Sequence, residues 1–353
     1  QVIACRKRNH EVIQWLGGRG IHPVAGLPGG WSVAVDEEMR QKIEQISRDN
    51  IAFAEFSLKV FDDIVLANKA YVDLIVSDAF THETYYMGTV DENNHINFYD
   101  GKIRVTDPNG GEFIKYEAKD YAKHIAERVE PWSYLKFPYL KDVGWNGFTD
   151  GVDSGVYCAT PLSRLNASDG MATPLAQEHF ERFYETLGSK KVDGRYTPVH
   201  HRLATHWARL VELLYAAERM QELANDPEFL DPNVRPIATN TPTEGVGSVE
   251  APRGTLTHHY KTDENGILTD VNLIVGTTNN NAPIAMSIKK AAEGLIKGGV
   301  VNEGLLNTIE MAFRNYDPCM SCATHSLPGQ MPLEVQIKDA DGNLIDTQSQ
   351  YID

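Results

Sequence analysis

Asp317-Pro318-Cys319-Met320-Ser321-Cys322-Ala323-Thr324-His325 stands close to the C-terminal end of the chain. Two cysteines at C-x-x-C spacing can turn both sulfurs toward one metal centre. Thiolate is the soft ligand that holds nickel, iron or zinc, and the bound metal keeps it deprotonated. The spacing alone leaves a structural zinc half-site or a redox dithiol open. The Asp-Pro before the pair and the His three residues after it make the string more specific. Arg253 lies between Pro252 and Gly254, a setting that suits a fixed loop at a buried site. Other polar residues read as structural. His258 and His259 are neighbours in an expected strand, where only one can face inward, so they make a poor metal pair. His22 precedes a proline beside a glycine turn. Glu244 and Glu250 are expected to form exposed salt bridges, with a proton path as the competing role. Cys5 and Cys158 are far from the motif and read as buried thiols.

The elements that must position these groups follow from hydrophobic spacing and turn chemistry. Helical patterning covers 7–16 and ends at Gly17-Gly18-Arg19-Gly20. A long helix begins near Asp36, carries Ile43, Ile46, Ile51, Phe53, Phe56, Val60, Phe61, Ile64 and Val65 near helical spacing, and ends around Asn68. Residues 82–118 alternate apolar and polar positions between turns and read as short antiparallel strands. Residues 130–170 show no clear period and are expected to be irregular. Helices are expected at about 174–187, 200–226, 282–297 and 303–314. A second strand region covers about 246–276, with Asp263-Glu264-Asn265-Gly266 as a hairpin turn. The tail holds a strand-like run, Leu333 to Ile337. This is an α+β chain, predominantly helical, with a central long-helix bundle and small antiparallel β regions.

The 353 residues carry a net charge of −16. That balance argues against nucleic acid, whose phosphates call for Lys and Arg, and against a polybasic membrane contact. No apolar run reaches the roughly 18 to 20 residues of a membrane span, and no basic-then-apolar leader is visible. Four cysteines do not make a disulfide framework and suit a reducing, cytoplasmic compartment with metal-bound or buried thiols.

Several blocks, taken in order, resemble the large subunit of nickel–iron hydrogenases. They are Gly17-Gly18-Arg19-Gly20-Ile21-His22-Pro23, Pro161-Leu162-Ser163-Arg164-Leu165-Asn166, the His206–Glu218 helix, Glu244 to Leu256 around Pro252-Arg253-Gly254, Asn272 to Asn280, and the cysteine string. The style is most similar to cytoplasmic, cofactor-coupled members, including those that feed heterodisulfide reductase or reduce a deazaflavin or nicotinamide. One departure is large. The family carries a second C-x-x-C near its N-terminus that supplies two more nickel thiolates. Here Cys5 has no partner three residues away, so the chain is expected to lack the family's N-terminal part.

The resemblance implies a nickel–iron centre that splits or forms dihydrogen heterolytically, its iron bearing carbon monoxide and cyanide. It implies that Cys319 is a terminal nickel ligand and Cys322 a bridging one. Arg253 and Asp317 would stand over the metal site, with Pro252 beside the cofactor, and Arg253 and Thr277 would donate hydrogen bonds to the cyanides. A maturation endopeptidase would cut after His325, leaving 1–325 as one domain and 326–353 as a removable extension. His325 would then bind magnesium or a further iron, with the Leu273 carbonyl as another ligand. Electrons would leave through the iron–sulfur small subunit of a hydrogenase, then through further electron-transfer subunits, such as heterodisulfide reductase or a deazaflavin or flavin subunit. Two other readings compete. A metal-free relative, like the large-subunit-like component of respiratory complex I, fits the absent first C-x-x-C but not the retained second one. A zinc-binding interaction protein using Cys319, Cys322 and His325 explains none of the other blocks.

Overall fold

A computed structural model describes residues 1–133, 135–237, 240–319, 333–339 and 341–350. Its helices are α1 (Val2–Gly17), α2 (Glu37–Phe61), α3 (Lys69–Ile75), α4 (Tyr121–His124), α5 (Pro161–Asn166), α6 (Pro174–Thr186), α7 (Thr205–Ala224), α8 (Asn281–Leu295) and α9 (Glu303–Arg314). Start signals are local. Asp36 accepts from the Met39 amide at 2.8 Å, with Glu37 and Glu38 in the first turn of α2, where carboxylates suit the positive helix end. Asn302 caps α9 through the Leu305 amide. The long helix expected to Asn68 breaks earlier, at a π turn over Asp62–Leu66, and α3 follows as a separate element.

α7 is the central strut. Trp207, Ala208, Val211, Leu214 and Tyr215 are buried and share one core with Ala54 and Leu58 of α2, Phe180 and Phe183 of α6, Ala291 of α8 and Ile309 of α9. Trp207 stacks obliquely on Phe61 at 5.6 Å and meets Phe183 edge-on at 5.2 Å. α1 and the first half of α2 close on the far end of α7 through Val12, Ile43, Ile46 and Ala224.

Two β regions flank this bundle. In the first, 170–171, 95–96, 85–90, 102–106 and 112–116 are neighbours in that order, and 157–158 pairs in parallel with 85–90. The second is an antiparallel meander of 244–251, 254–262 and 268–274. The segment expected to be irregular, 130–170, holds the second strand of a hairpin, 125–129 with 136–140, and α5. Its alternation is obscured because Pro138 lies within that strand. The tail forms a hairpin of 333–338 and 344–350, with Leu344 and Ile345 exposed.

One buried cluster stands behind the site and is sensitive to acid. The Tyr86 hydroxyl lies 2.5 Å from Nδ1 of His200. Burial, reinforced by Arg202 and His201, holds the His200 pKa down to about 4. Between its ordinary value near 6.5 and about 4, the unfolded chain binds a proton that the folded chain refuses. Stability is therefore expected to fall as pH drops through that window, by at most a few kcal/mol. Denaturant titrations at pH 7 and pH 4.5 check this, and His200→Gln should reduce the difference, the remainder coming from other histidines that burial also holds down, His82 among them.

Candidate functional site

The first functional loop is a hairpin tip. Ala251 pairs with Gly254, so Pro252 and Arg253 are the two residues between the strands. Proline presets the backbone angle of the first position of such a turn. Gly254 has φ +148°, and a Cβ there would stand 2.3 Å from the Gly276 carbonyl oxygen and 2.9 Å from that of Ala159. Only glycine admits this approach of three backbones.

The second loop is the end of α9. Tyr316 is buried, its hydroxyl 2.8 Å from the Ser287 hydroxyl and donating to the Pro283 carbonyl at 3.2 Å. Asp317 follows with φ +49°, a left-handed conformation uncommon for a residue before proline. Held backbone strain of this kind clusters at functional sites. Here it accompanies a contact. Arg253 Nε donates to the Asp317 carbonyl at 2.5 Å and lies 3.2 Å from its Oδ2. Among the described residues Nη1 and Nη2 of Arg253 have no hydrogen-bond partner, and its side chain is 41% exposed. That is a guanidinium oriented at one edge with its other donors available.

Thr277 is 2% exposed, and its hydroxyl accepts the Cys319 amide at 3.1 Å. Thr277 is thus the third support of the loop, and its own O–H remains a donor. The Cys319 sulfur is disulfide-bonded, so it takes a metal only after reduction to the thiolate. Cys322 and His325 lie outside the described residues. Leu273 is in the strand 268–274, opposite His258, and the structure does not bring it to Arg253, Asp317 or Cys319. Among the described residues no three His, Cys, Asp or Glu side chains come together as a metal site. Cys5 and Cys158 are free and buried, as expected.

Glu250 is corrected. It is buried, not exposed. Its Oε1 accepts from the Thr89 amide at 2.7 Å, the Thr89 hydroxyl at 2.8 Å and the Thr255 hydroxyl at 2.9 Å, and Oε2 accepts from Arg164 at 3.0 Å. Arg164 also grips both oxygens of Glu212 at 2.6 Å and the Ala251 carbonyl at 3.0 Å. Glu244, by contrast, is an exposed partner of His259 and Lys261.

Two asparagines that close the 272–280 block, and to which the sequence assigns no role, fasten the hairpin tip. Asn280 donates to the Arg253 carbonyl at 2.7 Å and accepts the Ala159 amide at 2.8 Å. Asn279 donates to the Thr255 carbonyl at 2.7 Å and accepts from the Tyr157 hydroxyl at 2.7 Å. Both are 1% exposed. Buried amides with all these bonds made are a rigid scaffold. The one sequence signal is the polar run Thr277-Thr278-Asn279-Asn280-Asn281 before an apolar helix, which a surface loop shares.

Known proteins similar to this chain are hydrogenases. Residues 153–325 match the nickel-dependent hydrogenase family. Over 338 residues the chain is 49% identical to an iron–sulfur subunit of the F420-non-reducing hydrogenase of Archaeoglobus profundus, covering 96% of this chain and 68% of that one. It is 40% identical to the corresponding subunit of the F420-non-reducing hydrogenase of Methanothermobacter thermautotrophicus, covering 98% and 69%. A solved structure of an NAD+-reducing [NiFe]-hydrogenase in the H2-reduced state superimposes with a TM-score of 0.79 at 33% identity, over 92% of this chain and 68% of that one.

Proposed function

The chain belongs to the nickel-dependent hydrogenase family, as a large subunit of the nickel–iron type, and we propose that Cys319, Cys322, Arg253, Asp317 and Thr277 form its half of the reacting centre. The carrying observation is the Arg253–Asp317 contact beside Cys319, whose amide rests on Thr277. The donor set fits the metals. Cys319 offers a soft sulfur once reduced, and Arg253 offers two free N–H edges beside it. When bound, the nickel–iron centre polarises dihydrogen and accepts its electrons. The chain's own groups then do the rest. Cys319 Sγ would ligate nickel and, as a thiolate, would be placed to take up the released proton. Asp317 holds the Arg253 guanidinium in one orientation through Nε. Nη1 and Nη2 of Arg253 are left to stabilise negative charge, on the reacting atoms or on cyanide ligands of the iron. The two further thiolates implied for nickel are not among the four cysteines of this sequence.

His325 is the proposed processing point, and the family match ends at that residue. The exposure of Leu344 and Ile345 suits removal of the tail, after which His325 and the Leu273 carbonyl would hold magnesium or a further iron. An iron–sulfur cluster takes four thiolates, and among the described residues Cys5 and Cys158 are buried in separate surroundings. The proposed electron route is through an iron–sulfur partner. The names of the relatives favour a partner chain leading to an acceptor other than F420. Among the described residues no helix is long and apolar enough to cross a membrane, and the assembly is proposed to be cytoplasmic.

Nickel and iron analysis of the complex, with infrared absorption in the carbonyl and cyanide region, tests the centre. Near-stoichiometric nickel with those bands is expected; a processed chain without nickel overturns it. Thr277→Val, which keeps shape and removes the hydroxyl, is expected to cost about 1 kcal/mol of loop order and lower turnover several-fold. It should also shift the cyanide bands. Unmoved bands with normal turnover would take Thr277 out of the centre.

A further inference from the structure

Arg209 belongs to no motif, yet it touches both loops of the site. It projects from α7, whose neighbours Trp207, Ala208 and Val211 are buried and fix the helix. Its Nη1 donates to the Pro252 carbonyl at 2.7 Å and its Nη2 to the Asn315 carbonyl at 3.0 Å. Pro252 precedes Arg253 on the hairpin tip. Asn315 lies two residues before Asp317, where α9 ends. One planar fork thus spans the two segments whose mutual placement sets the Arg253–Asp317 contact.

The surroundings explain why the fork is spent on carbonyls. Glu212, one turn further along α7, is taken bidentately by Arg164. Among the described residues no carboxylate comes within ion-pair distance of Arg209. Burial lowers its pKa, opposed by the more distant charges of Glu212 and Asp317, while Arg164 and Arg253 lower it further. A half-buried cation beside two others is costly to keep unless its bonds are needed. It also walls a cavity of about 370 Å³ with Phe98, Leu213 and Ala251.

We infer that Arg209 is a positioning residue that clamps the Pro252–Gly254 tip to the end of α9, holding Arg253 and Asp317 in register. Only its effect on turnover rests on the hydrogenase reading; the clamp itself does not. Arginine is required because its rigid fork reaches two acceptors at once, whereas a lysine ammonium is a single point on a flexible stem.

Amide hydrogen exchange by mass spectrometry, on the complex with its natural partners, tests this. The variants are Arg209→Lys and Arg209→Met, with Arg219→Ala on the same helix as control. Peptides over 250–255 and over 313–319 should both exchange about tenfold faster in either Arg209 variant, the loss expected from a charge-assisted bond. The rest of α7 should be unchanged, and the control should match wild type. Hydrogen oxidation should lose about tenfold in kcat with KM for hydrogen little altered, because alignment and not binding is lost. If Arg209→Met does not fold, Arg209→Lys carries the test, since it keeps charge and stem. Unchanged exchange in either loop, or a lysine variant equal to wild type, overturns the clamp. A wild-type complex without nickel or turnover would overturn the hydrogenase reading instead, and the exchange result would still decide on the clamp.

Discussion

Arg253→Lys is expected to lower hydrogen-dependent dye reduction by about 100-fold or more while the nickel content stays at the wild-type level. The expectation comes from what each nitrogen of Arg253 does. Nε is committed to Asp317, at 2.5 Å from the carbonyl and 3.2 Å from Oδ2. That leaves the Nη edges in a fixed plane, aimed by the rest of the side chain. Lysine keeps the positive charge but has one nitrogen for both tasks. If it pairs with Asp317, nothing faces the reacting atoms; if it faces them, it is no longer held. Loss of a preorganised donor at a reacting centre typically costs roughly 10²- to 10³-fold. Metal retention separates this from misassembly, because the proposed nickel ligands are cysteines and not Arg253. The assay is kcat for hydrogen oxidation in the intact complex, beside metal analysis of the same sample. Activity within about threefold of wild type would show that Arg253 does not act on the reacting atoms. Asp317→Asn should be milder, because the Asp317 carbonyl remains to accept from Nε.

The parts of this site that are legible in the sequence are those that carry unusual residue types. A cysteine pair with Asp-Pro before it and a Pro-Arg-Gly turn stand out because soft ligands and constrained turns are rare together. The bundle is legible too, since α2, α7 and α9 bury one face at helical spacing. What the sequence does not disclose is the polar interior between them. Glu250 sits in an alternating strand and reads as solvent-facing, yet its face looks onto Arg164 from another element. Its burial depends on a partner 86 positions away, which no local period reports. Asn279 and Asn280 are hidden for the same reason. Their amides serve the Tyr157 hydroxyl and the backbone of Ala159, Arg253 and Thr255, distant in sequence and brought together only by the fold. Thr277 is expected from the resemblance to serve a metal ligand, and the structure gives it a prior task, holding the Cys319 amide. The two roles are compatible, because a hydroxyl can accept one bond and donate another.

Arg164→Met is expected to give the largest loss of stability in the chain, about 3 to 5 kcal/mol. Arg164 is 1% exposed and neutralises two buried carboxylates at once, Glu212 through both oxygens and Glu250 through one. Removing the cation leaves two like charges without solvent or counterion. Burying a charge is tolerable when it is paired and bonded, and severe when it is not. The alternative explanation for a loss would be a cavity, since Arg164 also packs against Phe98 at 5.7 Å. A second variant separates the two. Arg164→Met combined with Glu212→Leu removes one orphaned carboxylate and fills space with apolar volume. If charge dominates, the double variant should recover at least half of the loss; if packing dominates, it should be no better than the single one. Equilibrium denaturation of both, compared at one pH, decides. Activity should fall with the single variant even below the unfolding transition, because Arg164 also holds the Ala251 carbonyl at the base of the hairpin that carries Arg253. The same guanidinium therefore joins the stability of the interior to the aim of the Arg253 loop, and a variant that regained stability without that bond is expected to regain turnover only in part.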